Sequence, residues 1–220
     1  HSLSAGFLDD LEIPLPPLAE QQRIVAKIDQ LAKKIERARA LTEQAELHRA
    51  ALDRSVLDQM LFSRTDDVPV LPLQDVCLRI TDGDHLTPTF AEDGVKFIFV
   101  GNVSSGALHF NGCKYVSTDY FDGLQEYRKP RRGDVLYSAV GATLGIPAVV
   151  EVDEHFCFQR HVALIRPDPH RLDYRYLHNV LRSGRVFALA WERTTGSTQP
   201  TVPLRAIKAF PMPLPGLSQQ

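Results

Sequence analysis

The sequence predicts an α+β protein: one long coiled-coil-type α-helix, then a globular, mostly antiparallel β domain with a few helices. Three observations carry that expectation. Residues Glu20 to Arg64 contain neither glycine nor proline. After residue 66 the chain breaks into short β-type runs punctuated by Gly, Asn, Asp and Pro. A proline-rich stretch stands at each end, "LEIPLPPLAEQ" at 11–21 and "FPMPLPGLSQQ" at 210–220.

The glycine-free run is built mostly from Ala, Leu, Glu, Gln, Lys and Arg, all strong helix formers. Ile24, Ile28, Leu31, Ile35, Ala38, Leu41, Ala45, Leu52, Val56 and Met60 follow one another at helical spacing and make one apolar stripe. Arg23, Lys27, Lys34, Glu36, Arg37, Glu43 and Glu46 take the opposite face. At about 1.5 Å per residue the run is a rod of roughly 65 Å. A stripe of that length needs a second helix, parallel or antiparallel, from another chain or another part of the same protein. Ile24, Ile28, Leu31, Ile35, Leu52 and Val56 are the expected pairing residues. The competing arrangement lays the helix, above all its C-terminal half, along its own globular domain.

In the second part, "VKFIFV" (95–100), "DVLYSAV" (134–140), "IPAVVEV" (146–152) and "HFCFQRHVALI" (155–165) read as strands. Tyr174 to about Trp191 reads as one helix, apolar at Tyr176, Leu177, Val180, Leu181, Phe187 and Leu189. The expected boundaries are 1–19 for the end of a preceding unit and its connector, 20–65 for the helix, 66–212 for the globular domain and 213–220 for a second connector.

The two proline stretches align without gaps at an offset of 199 residues, in the frame P-L-P-x-L-x-x-Q. That period is too long for a solenoid and suggests a duplicated unit of globular domain, connector and helix. Proline fixes φ and cannot extend a ladder, so each connector leaves its domain stiff and extended.

Composition limits the function classes. With 44% hydrophobic residues, 24% charged residues and no long apolar run, the chain reads as a globular protein without a membrane span. Its start lacks the blocks of a signal peptide, and Cys77, Cys113 and Cys157 read as buried thiols of a reducing cytoplasm. A net charge of −2 does not announce a nucleic-acid binder, so such a role must rest on local clusters or motifs. A metal-dependent hydrolase is weakened because the eight histidines show no HxH or HxxxH spacing. P-loop and G-x-S-x-G motifs are also missing. No cofactor or metal is expected. An assembly module that binds only protein stays open.

The quoted pieces, in order, resemble the specificity subunit of type I restriction-modification enzymes. "IPLPPLAEQQRIVAKID" (13–29) is similar to that family's connector and spacer-helix start. "PLQDVC" (72–77), "ITDGDHLTP" (80–88), "GVKFIFVGNV" (94–103), "RRGDVLYSAVGATLG" (131–145), "CFQRHVALIRP" (157–167) and "TGSTQPTVPLRAIKAFPMPLP" (195–215) resemble its target recognition domain. The resemblance implies a non-catalytic reader of one half of a split duplex DNA target, working with modification and restriction subunits in the cytoplasm. It also implies two recognition domains held apart by two antiparallel helices. This chain departs from that by carrying one domain and one helix. It is expected to be either a half-subunit that pairs with a second copy or a portion of a longer subunit, and "GFLDDLEIPLPPL" favours the portion.

Under that resemblance, DNA contacts fall into phosphate anchors and base readers. Arg128, Lys129, Arg131 and Arg132 of "YRKPRRGD" are the densest basic run, with a solvated turn as the alternative. His85 and Thr87 of "TDGDHLTP" are expected in a loop facing DNA, with an Asx-turn as the alternative. Arg193, Thr195, Ser197 and Gln199 of "ERTTGSTQP" offer forked and hydroxyl side chains. Arg160 and His161 read as strand neighbours pointing to opposite faces, so one of them, Arg160, is expected at the DNA. The glycines of "SAVGATLG" (138–145) allow close backbone approach, or make a tight hairpin.

Overall fold

The computed structural model describes residues 14–63, 68–196 and 198–220. The chain divides into two compact units, His1–Ala50 and Ala51–Gln220. Helix α1, Leu18–Phe62, begins in the first unit and ends in the second.

In the first unit, Pro17 starts the helix. Its carbonyl accepts from the amides of Glu20 and Gln21, at 2.8 and 3.1 Å. Glu20 sits in the first turn, where the helix dipole favours a negative charge, and pairs with Arg23 at 2.7 Å. Ile24, Ile28, Leu31 and Ile35 are all exposed, the last three by about half. They alternate steps of four and three residues, the 3.5-residue period of a helix seam. Thr42 and Arg49 fall on the same period and interrupt it. The Thr42 hydroxyl is turned back to the Ala38 carbonyl at 3.0 Å, and Arg49 binds Glu46.

In the second unit the end of α1 packs on the globular domain, so the competing expectation holds for this last portion. Phe62 is buried in the core. The Arg54 guanidinium lies 3.5 Å over the Phe187 ring. Asp58 accepts the backbone amide of Arg185 at 2.9 Å. Leu52 and Val56 stay exposed.

Beyond α1 come β1 (Val70–Pro72), β2 (Cys77–Asp82), β3 (Val95–Ile98), β4 (Lys114–Val116) and α2 (Thr118–Gly123). Strands β5 (Val135–Ser138), β6 (Pro147–Val149), β7 (Phe156–Phe158) and β8 (Val162–Pro167) follow. Helices α3 (Tyr174–Arg182), α4 (Gly184–Glu192) and α5 (Leu204–Lys208) lead to β9 (Pro211–Pro213). The main sheet has the order β2-β8-β5-β6, antiparallel throughout. A second sheet, β4-β3-β7, has one parallel pair, β3 with β7. Strands β1 and β9 pair alone.

All four residues of β5 are buried, which is why this strand reads as a continuous apolar run rather than an alternation. Val135 and Tyr137 face a core shared with α3, α4, α5 and Phe210. Leu136 faces the other way, against Ile98, Phe156 and Phe158.

Two expectations change at this level. The single helix expected over 174–191 is broken at Ser183, whose hydroxyl caps α4 by accepting from Val186 N at 3.4 Å. Gly184 opens α4 because the Asp58 carboxylate approaches it; a Cβ there would stand 2.5 Å from Asp58 Oδ2. The strand expected over 155–165 is also broken, by a turn at 160–161.

The repeated glutamine has the same use in both connectors. Gln21 Nε2 donates to the Pro16 carbonyl at 2.7 Å, and Gln220 Nε2 donates to the Pro215 carbonyl at 2.9 Å. These are the same two places in the frame, 199 residues apart. Gln220 also accepts from Asp173 N at 2.8 Å and donates to the Arg171 carbonyl at 2.9 Å, tying the second connector to the turn that starts α3.

One buried ion pair pins the sheet to its basic turn. Arg166 of β8 grips Asp134 with two bonds of 2.8 and 2.7 Å and reaches the Lys129 carbonyl at 2.9 Å. Asp134, 3% exposed, also accepts from Arg131 N at 2.8 Å. Replacing Asp134 by Ala strands a buried guanidinium, so urea denaturation is expected to show a loss of about 3–5 kcal/mol.

Candidate nucleic-acid interface

The register of the main sheet decides which loops meet. Asp82, at the end of β2, pairs with Ala163 near the start of β8, and Ser138, at the end of β5, pairs with Val162. The segments after β2, after β5 and before β8 therefore emerge at one end of the sheet. A fourth segment, 194–203, joins them. Thr195 bridges Thr201, Thr201 bridges Val140, and Gly141 N donates to the Pro200 carbonyl at 2.9 Å. Together they enclose a cleft of about 390 Å³, lined by Asp82, His85, Val140, Arg160, His161, Gln199 and Thr201 among others.

Each segment is shaped by its own chemistry. Gly83 lies against the β7 end so closely that a Cβ would stand 2.1 Å from the Phe158 carbonyl oxygen. Next to it, Asp84 bridges Gln159 and is gripped by Tyr120 Oη at 3.2 Å and Arg128 Nη1 at 3.3 Å. Burial first, then the charge of Asp84, pushes the Tyr120 phenol up, so it stays an O–H donor. The same two causes push the Cys157 thiol up to about 12, so it is inert as a nucleophile. Gly141 and Gly196 have φ of +85° and +89°, the left-handed region that the two tight turns require.

Of the expected site residues, His85, Arg160 and Gln199 come together in the cleft, all exposed. His85 Nε2 lies 2.9 Å from Asp82 Oδ2. Thr87 stands exposed in the same loop as His85. Arg160 and His161 do not point to opposite faces: both sit in the turn between β7 and β8 and both line the cleft, because a turn has no strand alternation. Partial burial and the neighbouring Arg160 hold the His161 imidazole below its usual range, so near neutral pH it carries one donor and one acceptor. Arg193 and Thr195 are exposed beside the cleft segment but do not line it, and the Thr195 hydroxyl donates to Thr201 O at 3.4 Å. Ser197 lies outside the described residues.

The basic run is placed elsewhere, and its charges are answered internally. Arg128 faces Asp84 and Asp82, Lys129 and Arg131 face Glu126, and Arg132 holds Asp153 with two bonds of 2.8 Å. Lys129, Arg131 and Arg132 line a separate pocket with Asp122, Glu126, Asp153 and Glu154. Arg160, by contrast, has no carboxylate partner among the described residues. Sequence reasoning missed Asp82, Gly83, Asp84 and Tyr120 as parts of the site; Arg128, which it named, joins them through Asp84. Their signal was present in "ITDGDH", two acids around a glycine, but the partners are far away in sequence.

Among the described residues no group of three or more His, Cys, Asp and Glu is placed to hold a metal ion. None of their helices is long and apolar enough to cross a membrane.

Comparison with known proteins adds to this geometry. Residues 1–47 match the family described as the type I restriction modification DNA specificity domain. The specificity subunit of the type I restriction enzyme EcoBI from Escherichia coli is 25% identical, over 99% of this chain and 51% of its own length. The chain is similar to specificity subunits of type I restriction enzymes. A chain from a solved structure of a type I R-M system, concerned with its complex assembly and conformational transition, is 26% identical with a TM-score of 0.59. That match covers 94% of this chain and 50% of the other. The crystal structure of the HsdS subunit from Thermoanaerobacter tengcongensis is 24% identical with a TM-score of 0.56, covers 94% of this chain and 49% of that one, and shares the fold. The chain thus spans about half the length of the specificity subunits it matches. The family match falls on the connector and most of α1, while the cleft lies beyond residue 80.

The squeeze at Gly83 gives a direct check. Gly83→Ala forces the 83–88 loop off the β7 end and is expected to cost about 1–3 kcal/mol in thermal or chemical unfolding.

Proposed function

We propose that the globular unit reads a short half-site of duplex DNA, without catalysis, through the cleft at the end of the main sheet. The observation that carries this reading is the convergence of His85, Arg160 and Gln199, brought from three distant segments onto one concave surface. Arginine and glutamine are the side chains that grip guanine and adenine edges with two hydrogen bonds each, and the neutral His161 adds a single donor and acceptor. The kinship with specificity subunits supports the same role.

The charge pattern sets the character of the binding. The 127–134 cations are engaged by carboxylates, and Arg160 is the cation without such a partner among the described residues that lines the cleft. Discrimination then comes from base contacts rather than from a strong field. Selection from random duplexes is expected to return one short asymmetric sequence. Its affinity is expected to fall with salt at a log–log slope of about −2 to −4, the signature of a few released counterions. Arg160→Ala and Gln199→Ala are each expected to reduce the preference for that sequence about tenfold or more, leaving non-specific binding less changed. Binding without sequence preference at moderate salt contradicts the reading, and a flat salt response points to an assembly module instead.

In this reading the exposed seam of α1 pairs with an equivalent helix, from a second copy or from another part of a longer subunit. The assembled protein sets the target of modification and restriction subunits. The reading calls for no cofactor in this chain and a cytoplasmic location. Ile28→Asp with Ile35→Asp places two charges on the seam and is expected to abolish self-association in sedimentation while the globular unit stays folded. A double variant that keeps the mass of the wild type contradicts the pairing.

A further inference from the structure

Beyond residue 68, Leu86 is the most exposed large apolar side chain, 76% accessible at the tip of the 83–88 loop. A leucine on a slack loop folds back onto apolar surface. This loop is held at both ends: Gly83 is pressed against the Phe158 carbonyl, Asp84 is bound by Tyr120 and Arg128, and Pro88 is buried. The fold therefore presents Leu86 to solvent. It does so one residue after His85, which lines the cleft that also holds Arg160 and Gln199.

We infer that Leu86 is a specificity-determining residue that packs on the C5-methyl group of a thymine in the half-site. The inference rests on the DNA-reading function proposed above and names one base that it reads. The major groove offers hydrogen-bonding edges and a single apolar feature, the thymine methyl. A glutamine suited to adenine in the cleft and an apolar tip suited to thymine on the loop that carries His85 match the two bases of an A·T pair or of neighbouring pairs. An apolar wedge pushed between base steps is the other use of such a side chain; it bends the duplex and is indifferent to the methyl group.

The test uses the selected duplex with each thymine replaced in turn by deoxyuridine, which removes only the methyl group, and reads affinity by fluorescence anisotropy. For the wild-type chain, one thymine position is expected to weaken binding about fourfold on replacement, the value of one buried methyl. Leu86→Ala, an exposed substitution that leaves the core untouched, is expected to bind the thymine and uracil forms of that position equally. It should still prefer the selected sequence through the other contacts. Sequence-selective binding with no methyl-sensitive position, a selected half-site without an A·T pair, or a Leu86→Ala variant that keeps the full thymine preference overturns the inference and leaves DNA reading standing. Loss of all sequence preference in the wild type overturns both.

Discussion

Strand β8 is the element on which the rest depends. It lies between β2 and β5, antiparallel to both, and its pairing places Asp82, Ser138 and Val162 at one end of the sheet. A slip of one residue would turn Leu164 from one core to the other and move every loop at that end. Burial on both faces fixes the register, because Leu136 and Leu164 fill one core while Val135, Tyr137 and Ile165 fill the other. The position of the cleft is thus a consequence of core packing. Segments some twenty to one hundred and twenty residues apart meet there, three by the register of the sheet and the fourth by its bridge to Val140.

Charge is used mainly to build the molecule. Asp134 and Arg166 hold the 129–134 turn from inside, and Arg132, Arg131 and Lys129 are tied to acids on its surface. Arg128 braces the His85 loop through Asp84. A basic run thus serves the site indirectly, as scaffolding for a neighbour. The exposed pairs contribute little stability each, and a phosphate can displace such a carboxylate at modest cost. The buried pair of Asp134 cannot be exchanged in this way.

Much of the architecture was legible in the residues. A run without Gly or Pro announces α1, and its end at Phe62 falls close to the expected 65. The repeat frame drew attention to a glutamine whose side chain makes the same bond in each connector. What the sequence hid was tertiary. The break at Ser183–Gly184 exists because Asp58, over a hundred residues earlier, needs room at a helix start. The turn at Arg160–His161 lies inside a run whose apolar pattern continues on both sides, so periodicity alone extends the strand through it. The pairing of Arg128 and Arg132 was invisible because their acids, Asp84 and Asp153, are remote in sequence, whereas Glu126 stands beside its partners Lys129 and Arg131. His85, Arg160 and Gln199 were each readable as candidates; that they share one cleft follows from the register of β8 and from the bridge of Thr201 to Val140.

The surface assigned to DNA is one end of one sheet, and amide hydrogen exchange with and without a selected duplex measures it most directly. The account predicts added protection in 83–87, 139–141, 159–161 and 194–201, and none around Leu108, Glu151 and His178, which line a separate pocket. Protection centred on that second pocket, with the four cleft segments unchanged, would contradict it.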